Sequence, residues 1–159
     1  MDTLSHALWG RGLFSNKNFG SLAFFFGAMP DLFSFGIFFI LKVFEGDFTF
    51  GKPPEIIILP DWLFFFYDFT HSFIVSFLFI GIVFFFKREF FIPMFAWPFH
   101  ILLDFPFHSE AYFPTKIFWP LNNFYIDGIP WSNPKVWFSN LAGLIFLFAY
   151  RKFKFGKFF

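Results

Sequence analysis

The chain has 159 residues, about the length of one domain. It is 57% hydrophobic, 30% aromatic and only 14% charged, with 38 phenylalanines, whereas a typical soluble domain is about 25% charged. This composition excludes an ordinary soluble domain and predicts an integral membrane protein, with a lipid bilayer as its main partner and no nucleic acid. The absence of cysteine excludes disulfides, thiolate ligands and a cysteine nucleophile.

In chain order, a short segment over residues 3–14 carries His6 and is expected to break at Gly10-Arg11-Gly12. The first hydrophobic span follows over about residues 19–41, and Pro30-Asp31 interrupts it. Loop-forming residues fill positions 42–60. The second span covers about residues 62–86 and carries Asp68, Thr70, His71 and Ser72.

The third span covers about residues 90–107, where Pro93 and Pro98 make it irregular. Broken backbone at membrane depth is tolerated only where it is buried in protein or lines a cavity. A long loop over residues 109–134 precedes the fourth span, which covers about residues 136–150. Since about 20 apolar residues cross a bilayer, the sequence predicts one all-α polytopic domain over residues 1–159, with about four transmembrane helices.

The distribution of positive charge predicts the orientation of these spans. Four spans place the N-terminus, the turn at residues 87–89 and the C-terminal tail on one side of the membrane. That side holds eight of the twelve basic residues, namely Arg11, Lys17, Lys87, Arg88, Arg151, Lys152, Lys154 and Lys157. Because basic residues concentrate on the cytoplasmic side, we expect an inner-membrane type of protein with both termini cytoplasmic.

Three carboxylates, those of Asp31, Asp68 and Asp104, fall inside the predicted spans. An aspartate at the centre of a membrane helix costs roughly 2.5–3.5 kcal/mol, so three without compensation would cost on the order of 8–10 kcal/mol. No lysine or arginine is expected at that depth, and the available partners are histidines. A divalent cation held by aspartate and histidine removes most of this penalty. Protonated aspartates around a water-filled cavity are the alternative.

The stretch around His100 is the strongest candidate for the metal site. On a helix, His100 and Asp104 lie one turn apart on the same face. Imidazole and carboxylate together suit zinc, manganese or iron. Pro106 interrupts the helix, so we expect His108 to reach the site from a loop. The alternative is a buried histidine that only forms a hydrogen bond with Asp104.

The remaining polar residues are expected to join this pair. His71 and Asp31 complete the predicted ligands, with zinc the favoured metal and manganese or iron possible. Asp68 is the candidate general base. His6 contributes only if residues 3–14 fold back into the bundle, and otherwise is an interfacial histidine. Thr70 and Ser72 are expected to support ligands or pack between helices.

With these motifs assembled, the chain resembles the YdjM-like family of inner-membrane metal-dependent hydrolases. The resemblance is carried by Met1-Asp2-Thr3-Leu4-Ser5-His6, Met29-Pro30-Asp31, Thr70-His71-Ser72 and His100-x-x-x-Asp104, in that order. The family usually has a second aspartate where this chain has Phe33, and a His-Arg pair where it has Phe66-Tyr67. Asp68 and His108 are candidates to take their place.

A looser similarity is to zinc-dependent phospholipases C, which order their ligands in the same way, although this chain lacks their final His-x-x-x-Glu. Together these resemblances imply a hydrolase of a phosphoester or lipid-like small molecule that enters from the bilayer. Two other functions remain open from the residues alone: an ion or proton carrier that uses the Asp/His cluster, and a structural scaffold. The substrate and the oligomeric state are left undecided.

Overall fold

The computed structural model describes residues 1–15, 19–47 and 59–156. Lys17, Lys157 and most of the predicted loop over residues 42–60 lie outside this part of the chain. Every regular element within it is helical, which confirms the all-α prediction for these residues. The helices are α1 (Thr3–Phe14), α2 (Gly20–Asp31), α3 (Ile37–Glu45), α4 (Asp61–Thr70), α5 (Phe73–Phe86), α6 (Phe91–Met94), α7 (Ala96–Asp104) and α8 (Pro134–Phe155).

The first predicted span is observed as one continuous helical stretch. α2 and α3 are joined by a π-helical turn, Leu32–Gly36, and together form the 26-residue stretch Gly20–Glu45, which contains an 18-residue window with a mean hydropathy of 1.8. The predicted interruption at Pro30 is therefore only a local widening of the helix. Ser34 and Thr70 donate hydroxyl hydrogen bonds to the Pro30 carbonyl at 2.8 and 3.1 Å, which satisfies this oxygen beside the wide turn.

The other predicted spans are less regular than the hydropathy pattern suggested. α4 and α5 are bent by 56° at the break before Phe73, and they are long and apolar enough to cross a membrane only if the bent pair is one span. The third span is divided into a 3₁₀ turn at Arg88–Phe90, the four-residue α6 and the nine-residue α7. The described residues thus contain one clear membrane-length apolar helix, or two with the bent pair.

α1 packs against α2 at very short range because glycines face each other across the contact. A Cβ on Gly27 would lie 2.5 Å from the His6 carbonyl oxygen, and one on Gly10 would lie 2.6 Å from that of Ala23. The predicted break at Gly10-Arg11-Gly12 is wrong, since α1 continues to Phe14. These glycines remain helical and allow the close approach that brings α1 into the bundle.

α1 also runs alongside α8 in the same direction. The Asn140 side chain donates to Ser5 Oγ at 2.8 Å and accepts from the Trp9 indole at 2.7 Å. About three turns further along α8, Arg151 donates to the Gly12 carbonyl at 2.7 Å. The N-terminal segment therefore folds back into the bundle, which was the condition for His6 to reach the site.

α7 lies at the centre of the molecule. Trp97 and Ile101 on this helix pack with Met29, Val75 and Ile117 in a buried cluster, and the Trp97 indole donates to the Thr70 carbonyl at 2.6 Å. Ile117 belongs to the long loop after α7, whose backbone accepts a hydrogen bond from Phe73 N at 2.9 Å. His100 and Asp104 are the buried polar and charged residues of the same helix.

Candidate metal centre

Four predicted ligands converge in the interior of the bundle. Asp31 is the last residue of α2, His71 lies at the break between α4 and α5, and His100 and Asp104 lie on α7. All four side chains are buried. Each offers one nitrogen or oxygen atom, and these atoms lie within 4.8 Å of one another. The sequence prediction that these residues meet is therefore confirmed by the geometry.

The separations match those between the ligands of one ion. His71 Nε2 lies 3.0 Å from His100 Nε2. Asp31 Oδ1 is 3.7 Å from each of these nitrogens, and Asp104 Oδ2 is 3.5 Å from His71 Nε2 and 3.1 Å from His100 Nε2. Bonds of about 2.0–2.1 Å in a tetrahedron place ligand atoms about 3.3–3.4 Å apart. The four atoms thus surround a position of the right size for a zinc-like ion.

The hydrogen bonds of the two imidazoles direct their lone pairs toward this position. His100 Nδ1 donates to the Gly27 carbonyl at 2.7 Å, and His71 Nδ1 donates to the Tyr67 carbonyl at 3.0 Å. We infer these tautomers from the acceptors, because a carbonyl oxygen can only accept. Each Nε2 is then unprotonated in the neutral ring. Two lone pairs facing each other at 3.0 Å repel unless a proton or a metal ion lies between them.

Asp104 supplies the second indication of a cation site. Its Oδ2 is buried and has no hydrogen-bond donor among the described residues. A buried carboxylate oxygen without a partner is costly, yet this one faces the two imidazole nitrogens. A divalent ion at the centre satisfies both imidazoles and this oxygen together. The donor set of two nitrogens and two carboxylate oxygens therefore fits a metal such as zinc.

The other two predicted ligands bind the opposite oxygen of Asp104. His6 Nε2 lies 2.9 Å from Asp104 Oδ1, and His108 Nε2 lies 3.5 Å from it. The Met1 amine also donates to Oδ1. His6 and His108 therefore surround Asp104 but do not belong to the group of four. As predicted, His108 follows the end of α7, and its Nδ1 donates to the Phe113 carbonyl at 3.0 Å.

The start of α1 covers the centre. Thr3 donates its hydroxyl to Asp31 Oδ2 at 2.8 Å, so Oδ1 is the oxygen that faces the imidazoles. Asp2 caps the helix by accepting from Ser5 N at 2.9 Å, which fixes this first turn. The side chain of Asp31 is 11% exposed, against 0% for His71. Asp31 is therefore the ligand nearest to the surface.

Asp68, the predicted general base, pairs with a lysine rather than with a histidine. Lys116 donates to Asp68 Oδ2 at 2.7 Å, with side-chain exposures of 29% and 12%. The expectation that no lysine reaches the carboxylates was wrong, because the loop after α7 folds back over α4. This ion pair compensates one of the three carboxylates, so the need for a metal rests on Asp31 and Asp104.

Tyr67 is a supporting residue that sequence reasoning missed. Its ring stacks on His71 with centroids 3.9 Å apart, and its hydroxyl lies 2.9 Å from Thr115 Oγ1 and 3.3 Å from His108 Nδ1. The Tyr67 carbonyl is also the acceptor that orients His71. Its position four residues before His71 on a helix was the available signal.

Thr70 and Ser72 have the structural roles predicted for them. Thr70 Oγ1 lies 2.8 Å from the Phe66 carbonyl oxygen, so its one hydroxyl hydrogen is shared between this oxygen and the Pro30 carbonyl. Ser72 caps α5 by accepting from Val75 N at 3.3 Å and donates to the Trp119 carbonyl. Both hydroxyls are used at the helix break, which holds His71 between α4 and α5.

Comparisons of this chain with models of known families, with curated proteins and with solved structures gave no match.

Proposed function

We propose that this protein is an integral membrane hydrolase that uses a divalent metal, with zinc the favoured ion. The observation that supports this most is the convergence of the His71 and His100 Nε2 atoms, 3.0 Å apart, beside an unpartnered buried oxygen of Asp104. His71, His100, Asp104 and Asp31 hold the ion. The resemblance to YdjM-like proteins, carried by four short motifs, points to the same chemistry.

A bound divalent ion would polarise a phosphoester and promote ionisation of water near neutral pH. The residues of the chain prepare this site in three ways. Gly27 and Tyr67 carbonyls hold the imidazole nitrogens toward the ion. His6 and His108 hold Asp104 in place through its other oxygen. Burial in the bundle excludes bulk water and strengthens the charge interactions.

The substrate class that we propose is a phosphoester or lipid-like small molecule. A buried centre within apolar helices is more accessible from a bilayer than from water. Large apolar side chains face outward on several helices, with exposures of 82% for Phe85, 75% for Phe146 and 92% for Phe153. Such extensive apolar exposure is typical of a surface that contacts lipid.

We also propose that the chain crosses the inner membrane about four times, with the turn at residues 87–89 and the basic C-terminal tail in the cytoplasm. The N-terminus, which the sequence predicts to be cytoplasmic, is left out of this topology, because Met1 lines a groove with the first turn of α8, at the opposite end of that helix from the tail. Single cysteines at positions 88 and 155 should react only from the cytoplasmic side, and those at 47 and 127 only from the other side. Labelling of position 155 from outside would refute the orientation.

The same cluster supports one alternative, a proton or ion carrier. His6, Asp104, His108, Tyr67 and Thr115 form a continuous buried series of polar contacts. Buried ionisable residues in membrane helices commonly serve proton or ion transfer. A carrier would lose transport, rather than turnover, when His100 is changed.

Elemental analysis and phosphodiesterase assays on the detergent-purified protein test the proposal. We expect a stoichiometric metal, hydrolysis of a phosphoester probe such as bis(p-nitrophenyl) phosphate, and loss of both in His100→Ala. Bound metal without any hydrolysis of soluble or lipid phosphoesters would favour the carrier. Absence of metal after reconstitution with zinc, manganese and iron would refute the hydrolase.

A further inference from the structure

An apolar groove lies beside the metal centre, between α1, the end of α7 and the start of α8. Its volume is about 370 Å³, and its walls are largely Trp9, Leu103, Phe107 and Val136. The Trp9 indole is fixed by its hydrogen bond to Asn140, so this wall of the groove is rigid. The groove is shallow and more open than enclosed.

The groove adjoins the centre through Met1 and Leu103. Met1 lines the groove and its amine contacts Asp104 Oδ1, while Leu103 directly precedes Asp104 on α7. Met1 therefore lies between a molecule in the groove and Asp104, one of the proposed metal ligands. Thr3, one turn along, contacts Asp31, so the same end of α1 touches both carboxylates.

Lys135 gives the wall of the groove a positive charge. It lines the groove and lies in the first turn of α8, where its backbone N–H is capped by Asn133 at 3.0 Å. None of the ion pairs among the described residues involves Lys135. A largely apolar wall with one cation beside it is complementary to an amphiphile with an anionic head.

We propose that this groove binds the hydrocarbon chain of a phosphate ester, with the phosphate held between Lys135 and the metal centre. This inference rests on the proposed function and names its substrate class as a long-chain phosphate ester rather than a soluble one. Trp9, Leu103, Phe107 and Val136 contact the chain. Lys135 is the residue that selects an anionic head over a zwitterionic one, because an ammonium pairs with phosphate as a point charge.

The test is quenching of Trp9 fluorescence by lipids with a dibrominated acyl chain. The contribution of Trp9 is the difference between the protein and its Trp9→Phe variant. We expect dibromostearoyl phosphatidate in detergent micelles to quench this contribution at about tenfold lower concentration than the matching phosphatidylcholine, the scale of one charge-assisted hydrogen bond. Lys135→Gln should abolish this preference.

A pair of variants on α8 separates the groove from general contact with lipid. Ser139 lines the groove, so Ser139→Phe should weaken quenching by both lipids. Ala149→Phe adds the same ring to an exposed site on the same helix and should leave quenching unchanged. Equal quenching by the two lipids, with no effect of Lys135→Gln or Ser139→Phe, would mean that ordinary bilayer lipid occupies the groove and would overturn the inference.

Metal content measured on the same samples keeps this test apart from that of the hydrolase. Selective quenching in a protein that binds no metal would support the anionic-chain site while refuting the hydrolase. Bound metal with no selective quenching would refute the groove as a substrate site and leave the hydrolase standing. Hydrolysis of the phosphatidate with a KM raised by Lys135→Gln, and an unchanged KM for a soluble phosphoester, would support both.

Discussion

The ion pair between Asp68 and Lys116 yields a prediction that decides the role of Asp68. Lys116→Met removes the cation that lies 2.7 Å from Asp68 Oδ2, the one ion-pair partner of Asp68 in the part of the chain that the structure describes. Breaking a fully buried pair costs about 3–5 kcal/mol, but these side chains are 29% and 12% exposed, so solvent screening reduces the expected loss to about 1–2 kcal/mol. For a chain of this length the melting temperature should fall by roughly 2–8 °C.

Thermal unfolding in detergent, metal content and phosphoester hydrolysis are measured on Lys116→Met, Asp68→Asn and the double variant. If the pair is structural, the double variant should recover most of the stability lost by Lys116→Met, since no buried charge is left without a partner. Metal content and turnover should stay close to those of the parent. A loss of about 10²-fold or more in turnover by Asp68→Asn, with unchanged metal and melting temperature, would refute this reasoning and restore Asp68 as the general base.

Two further variant pairs test the construction of the centre. His100→Ala should abolish stoichiometric metal binding. His108→Ala removes a residue 3.5 Å from the other oxygen of Asp104 and should weaken metal binding by about 10–100-fold. Equal losses of affinity in a metal titration would place His108 among the ligands. Gly27→Ala should destabilise the protein by about 1–3 kcal/mol, because its Cβ would meet the backbone of α1. The control is Gly81→Ala, which has open space around its Cβ and should be neutral or stabilising. Thermal unfolding in detergent measures both variants.

The ligand set was the most predictable part of this molecule. His100 and Asp104 are four residues apart, so any helix brings them together, and the observed 3.1 Å between Nε2 and Oδ2 follows from that spacing. Asp31 and His71 were selected because polar side chains in apolar spans need partners. This argument uses only the polarity of these residues and their positions within the apolar spans, and both can be read from the sequence.

The contacts of α1 and of the long loop could not be predicted from pattern alone. His6 reaches Asp104 only because Gly10 and Gly27 allow α1 to pack against α2, and glycine in a sequence equally indicates a helix end. Lys116 reaches Asp68 because the loop around the buried Thr115 and Ile117 folds back onto α4. Hydropathy likewise located the first long apolar helix, Gly20–Glu45, but not the 56° bend after α4, which depends on the hydrogen bonds at the break.

The central claim is that Asp31, His71, His100 and Asp104 bind a divalent metal, and Asp104→Asn tests it most directly. Asn keeps the shape of the side chain but removes its charge, and an amide oxygen is a poorer ligand for a divalent ion. We predict about one metal ion per purified chain by elemental analysis, and loss of that ion in Asp104→Asn at a melting temperature that still shows a folded protein. A structural cluster predicts the opposite, since a neutral residue relieves the cost of a buried charge. An Asp104→Asn protein as stable as the parent, with unchanged metal content, would contradict the account.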